Sequence, residues 1–138
     1  MSDAQPTSSR RSIVPDVHAP VVARRALERF SSQLENDVVK RSRLVITEVV
    51  TNSVKHAGLT ATQRIDLEIG LAHDQLRIEI TDDGPGFELV VGRRGRDDGS
   101  GGWGLFLVDR LTDRWGVDFG HSTRVWCEFD PPEDPLRR

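Results

Sequence analysis

Glu48-Val49-Val50-Thr51-Asn52-Ser53-Val54-Lys55-His56-Ala57 is the stretch on which the reading of this chain turns. Two shorter segments follow it in fixed order, Asp82-Asp83-Gly84-Pro85-Gly86-Phe87 and Gly101-Gly102-Trp103-Gly104-Leu105. On a helix, Glu48, Asn52 and His56 recur at every fourth position and Lys55 stands three beyond Asn52, so a polar stripe runs beside Val45 and Val49. The second segment is an Asp-x-Gly-x-Gly turn at the exit of an apolar strand. The third is a glycine pair at the entry to another helix.

Working outward, the residues before this stretch carry two more patterns. Residues 1–11 are small and polar and are expected to be a disordered leader. From Pro20 to Leu34, Val22, Ala26, Phe30 and Leu34 recur at i+4 with Arg24, Arg25, Glu28 and Arg29 opposite, which predicts a first amphipathic helix. Asn36 or Asp37 is a suitable N-cap for a second helix that runs to Ala57 and stops at Gly58.

Beyond Gly58 the period changes from helix to strand. Ile65, Leu67, Ile69 and Leu71 alternate with polar residues, His73-Asp74-Gln75 can turn the chain, and Leu76, Ile78 and Ile80 alternate again, predicting an antiparallel hairpin that delivers Asp82. Residues 88–99 lose periodicity and gain arginines, aspartates and glycines, the composition of a lid-like loop. Leu105, Phe106, Val108 and Leu111 mark a short helix, and two closing strands flank Gly120-His121-Ser122. The expected architecture is α+β: a two-layer sandwich with a mixed, mostly antiparallel sheet covered on one face by helices. One domain is expected over residues 12–130, with 131–138 as a polar tail.

Composition narrows the function classes. A formal charge of -3 with 30% charged residues argues against bulk attraction to nucleic acid or anionic lipid. No apolar run approaches the ~20 residues of a membrane helix, and the N-terminus has no apolar stretch after its charges, so the expected compartment is the cytoplasm. The lone Cys127 excludes an intrachain disulfide and a cysteine metal cluster. His18, His73 and His121 read as surface or turn residues, and Trp103, Trp115 and Trp126 as packing residues rather than a base-stacking set.

The chemistry of the three segments converges on a magnesium nucleotide. Magnesium is a hard octahedral ion that keeps several waters, so the Asn52 amide oxygen suffices beside phosphates. Glu48, one turn earlier, can accept a proton from an attacking hydroxyl or water. The Asp82 carboxylate is an acceptor suited to the exocyclic amine of adenine, and Gly84 and Gly86 let the backbone approach a flat ring. The Gly102-Trp103-Gly104-Leu105 helix entry offers backbone N–H groups to polyphosphate. Each segment also has a plainer reading, as a solvated helix face, a surface turn and a flexible loop.

The combination resembles the N, G1 and G2 boxes of the GHKL (Bergerat-fold) ATPases, the superfamily of gyrase, histidine kinases and MutL. In its compactness the chain looks most like the anti-sigma factor serine/threonine kinases of bacterial partner switching, over roughly residues 12–130. That resemblance implies ATP and Mg2+ as cofactors, Glu48 as catalytic base and Asn52 as metal ligand. It puts Lys55 and His56 near the phosphates, Asp82, Gly84, Gly86 and Phe87 at the adenine, Gly102, Trp103, Gly104 and Leu105 at the lid end, and Thr123 in a further segment near the adenine. The implied partners are an STAS-type anti-anti-sigma protein carrying the target serine and a sigma factor, with a homodimer as a further expectation and no direct nucleic acid or membrane contact. One of Arg93, Arg94 and Arg96 in the loop stabilises the transferring phosphoryl group or grips the protein substrate, or the three only solubilise the segment. A non-catalytic ATP-gated binding module and a histidine-kinase-like domain acting in trans stay open beside the kinase reading, as does an ordinary α+β domain whose motifs have decayed.

Overall fold

The computed structural model describes residues 7–56, 60, 62–83 and 103–133. Five strands and three α-helices follow in the order β1 (Ser8–Ile13), α1 (Ala19–Glu28), α2 (Asn36–His56), β2 (Ile65–Ala72), β3 (Gln75–Asp82), α3 (Trp103–Leu111), β4 (Arg114–Phe119) and β5 (Thr123–Phe129), with a 3-10 turn at Ser31–Gln33. The strands form one sheet in the order β1-β2-β3-β5-β4. A mixed, mostly antiparallel sheet was expected, and every pairing described is antiparallel.

Alternation in the sequence fixes the two faces of the sheet. Ile65, Leu67 and Ile69 of β2, Leu76, Ile78 and Ile80 of β3, and Val125, Cys127 and Phe129 of β5 all point inward and are buried. The helices cover this face, with α2 packed on β3 and β5 and flanked by α1 and α3. From α2 come Val38, Val45, Ile46, Val49 and Val50, and from α3 Leu105 and Val108.

The outer face is polar and cross-linked by charge. Arg77 Nη1 donates to Glu128 at 2.7 Å, Arg114 Nε to the same carboxylate at 2.7 Å, and Arg124 Nη1 to Glu79 at 2.8 Å. Trp126 also lies on this face, with the Arg77 guanidinium 4.7 Å from its ring centroid.

The structure corrects two expectations. Residues 8–11, assigned to a disordered leader, belong with residues 12 and 13 to the edge strand β1, paired from Ser8↔Gly70 to Ile13↔Ile65. Only Ile13 of that strand is buried, so its order comes from backbone pairing with β2, which leaves no apolar alternation to read. The first helix ends at Glu28 rather than Leu34. There the Phe30 N–H donates to the Leu27 carbonyl at 2.9 Å and the Ser31 hydroxyl to the Glu28 carbonyl at 2.7 Å, tightening the chain into the 3-10 turn. Its core face is Ala19, Ala23, Ala26 and Leu27, with Val22 only half-buried; the alanines let α1 close tightly on α2.

The turn of the β2–β3 hairpin is His73-Asp74, since Ala72 pairs with Gln75. Both turn residues have positive φ, 52° and 64°, the pattern of a type I′ turn, whose twist matches that of the strands. Residues 1–6, Ala57, the loop 88–99 with Arg93, Arg94 and Arg96, and 134–138 of the expected tail lie outside the described residues.

Candidate nucleotide site

The site is built at one end of the sheet. A single row of paired residues crosses that end: Ile13, Ile65, Asp82, Thr123 and Phe119. Asp82 follows Leu76, Ile78 and Ile80 at the inward positions of β3 and is 3% exposed, although it is an acid. Its neighbour Thr123 begins the inward series of β5 and is 2% exposed. Two buried polar side chains therefore stand side by side where the hydrophobic core ends. A buried carboxylate is costly unless it is hydrogen-bonded.

The bond comes from α2. Ser53 Oγ donates to Asp82 Oδ2 at 2.9 Å, and Ser53 is itself buried at 2% exposure. This contact ties the last turns of α2 to the end of β3. Asn52 is the adjacent residue and Glu48 lies one turn earlier, both half-buried; Lys55 is exposed. The helix residues and Asp82 thus belong to one corner of the molecule.

Helix α3 approaches the same helix from the side. Arg41 Nη1 donates to the Leu111 carbonyl at 2.7 Å, and its guanidinium stands 5.6 Å from the Phe129 ring centroid. The C-terminal end of α3 is therefore pinned to the first turns of α2. The beginning of α3, with Trp103 and Gly104, is the end remote from that pin. Leu105 is a core residue.

Of the expected site residues, Asp82 and Thr123 are direct partners across β3 and β5, and Asp82 is joined to the helix that carries Glu48, Asn52 and Lys55. His56 ends α2 and Trp103 and Gly104 open α3, but their side-chain surroundings lie outside the described residues, as do Gly84, Gly86, Phe87 and Gly102 altogether. Sequence reasoning missed Ser53. Its signal was spacing: Ser53 falls three and four residues beyond Val50 and Val49, a polar residue at a core position of an amphipathic helix.

The Asp82 and Thr123 pair can both accept from and donate to the polar edge of a flat ring. An ionised carboxylate only accepts hydrogen bonds, and a threonine hydroxyl both donates and accepts. A magnesium ion here would rest on the single Asn52 amide, phosphate oxygens and water, since no three of His, Cys, Asp and Glu gather among the described residues.

This fold and this corner define a class, and comparison with known proteins gives its family. Residues 15–126 match the histidine kinase-like ATPase domain family, and the chain belongs to it. Among curated relatives, the serine-protein kinase RsbW of Listeria monocytogenes is 30% identical over 88 residues, 56% of this chain and 56% of that one. The chain thus spans little more than half the length of that relative. An uncharacterised protein of Streptomyces coelicolor, SCO4941, is 34% identical over 96 residues, covering 67% of this chain and 90% of that one. The solved RsbU and RsbW domains of Rv1364c from Mycobacterium tuberculosis superpose with a TM-score of 0.72 at 18% identity, over 94% of this chain and 34% of that one. A histidine kinase domain from Erythrobacter litoralis gives 0.54 at 24% identity, over 69% of this chain and 45% of that one. These two likenesses bear on fold alone.

Proposed function

We propose that this chain is an ATP- and magnesium-dependent protein serine/threonine kinase of the anti-sigma type. Its substrate would be a serine or threonine of an STAS-type anti-anti-sigma protein, and its output the holding or release of a sigma factor by partner switching. The observation that carries the reading is the buried Ser53–Asp82 hydrogen bond, which joins the Glu48/Asn52 helix to the Asp82/Thr123 pair in one corner. The similarity to a serine-protein kinase supports the reaction type.

Bound MgATP would supply the γ-phosphoryl group. Asp82 and Thr123 would hold the adenine, joined there by Gly84, Gly86 and Phe87. Asn52 gives its amide oxygen to the ion, and Lys55, His56 and the Gly102-Trp103-Gly104 helix entry face the phosphates. Glu48 takes the proton of the attacking hydroxyl as its oxygen bonds to phosphorus and the bond to ADP breaks. In this reading the catalytic unit is residues 8–130, β1 included.

The test is transfer of γ-labelled phosphate to a candidate STAS protein. The wild type should give an acid-stable phosphoester, and Glu48→Gln should bind ATP but transfer 10²- to 10⁴-fold more slowly, about the contribution of a positioned general base. Nucleotide-dependent partner binding with no transfer, unchanged in Glu48→Gln, would replace the kinase by an ATP-gated binding module. An acid-labile product would point to histidine.

A further inference from the structure

Resting on the nucleotide site proposed above, we infer that Ser53 is a positioning residue that aims the Asp82 carboxylate and so sets the preference for adenine over guanine. Three other hydroxyls on or just beyond the helices of this chain turn back on the backbone of their own segment. Ser42 Oγ donates to the Val38 carbonyl at 2.6 Å, Thr47 to Arg43 at 2.7 Å, and Thr112 to Val108 at 2.7 Å, the usual local bond of such residues. Ser53 departs from this habit. Its single proton goes across the helix–sheet boundary to Asp82 Oδ2, 29 residues away in sequence.

That choice has a chemical consequence. An aspartate on a strand can turn about its terminal torsion, a broad two-fold rotation with no staggered well to hold it. A donor of fixed position on one oxygen sets the plane of the carboxylate. Ser53 sits on a helix whose neighbouring positions, Val49 and Val50, are buried at 3% and 0% exposure, so the donor cannot drift. A carboxylate has about four lone-pair sites, so it can accept from Ser53 and from a ring amine together. Adenine offers an amine at the 6-position, whereas guanine offers a carbonyl oxygen there, which an aimed carboxylate repels. Reading a base by a fixed polar group discriminates well because the wrong base leaves buried polar atoms unpaired.

The experiment is calorimetric titration of Mg-ATP and Mg-GTP into the full chain and its Ser53→Ala, Ser53→Thr and Asp82→Ala variants, with the melting temperature of each recorded without nucleotide. Ser53→Ala should weaken ATP by roughly tenfold, the scale of one hydrogen bond to a charged group, and narrow the ATP-to-GTP ratio. Ser53→Thr, which keeps the hydroxyl, should restore both. A merely structural serine would lower the melting temperature and leave the ratio alone. The inference is overturned if Ser53→Ala keeps the wild-type affinity and ratio while Asp82→Ala loses binding; the nucleotide site would then survive it. Should Ser53→Ala not fold, Ser53→Cys carries the same reading with a weaker donor, and an unchanged ratio in that variant overturns the inference too. Absence of ATP binding by the wild type would remove the site itself, a separate failure.

Discussion

The indole of Trp126 fills the space over Gly116 so closely that a methyl group at position 116 would stand 2.7 Å from Nε1 and 2.8 Å from Cε2. The two residues are partners across β4 and β5, and the Arg77 guanidinium stands 4.7 Å from the ring centroid. A glycine in a strand ordinarily weakens it; here the ring of the opposite strand covers the bare backbone. Gly116→Ala should therefore destabilise the protein by about 1–3 kcal/mol through overpacking. The midpoint of urea unfolding measures this, and an unchanged midpoint would show that the ring moves aside freely.

Cys127 is a core residue at 2% exposure, and burial pushes its thiol up to about 12. The thiolate is the reactive form. At pH 8 a disulfide reagent should label the native protein only as fast as it opens, and the urea-unfolded chain at once. Fast stoichiometric labelling under native conditions would contradict this packing.

Glu128 and Asp130 are held below the usual carboxylate range, each chiefly by hydrogen bonds from Arg114. A carboxyl lowered in the folded state contributes stability that is complete above its unfolded pKa, near 4, and is lost as pH falls through the folded value. Melting temperature should accordingly drop on acidification below pH 4. Arg114→Met should show a smaller drop, and because these groups are only partly buried, salt should shrink the difference between the two proteins.

Thr123→Val keeps the shape of the side chain beside Asp82 and removes its hydroxyl. If Thr123 meets the base, ATP affinity should fall by roughly three- to tenfold, the scale of one neutral hydrogen bond. Equal ATP affinity in calorimetry would remove Thr123 from the site while leaving Asp82 in it.

Much of the fold was legible because its strongest elements have clean periods. The α2 stripe and the alternation of β2, β3 and β5 bury the residues that the sequence singled out, such as Ile46, Ile65, Ile78 and Val125. Two elements were not. Strand β1 has one inward apolar residue, and its order lies in partners more than fifty residues away. The end of α1 depends on Phe30 turning into the core, which no local propensity announces.

Within the candidate site, the residue types of Glu48, Asn52 and Asp82 suggested a chemistry, but sequence spacing could not say that α2 and β3 touch. Ser53 escaped notice because a serine among valines reads as a weak helix former. Its value lies in a tertiary partner.

The placement of Asp82 in phase with Leu76, Ile78 and Ile80 has one more consequence. Side chains on a strand alternate strictly, so sliding β3 by one step past its neighbours would swap its two sides. That slip would turn three aliphatic residues to water and send the acid out with them. A misaligned chain could not keep a working pocket on a faulty interior, nor the reverse. Under the proposed function, ligand capture would be its own proofreader: a molecule that grips the base would, by that fact, have assembled its strands in the right alignment.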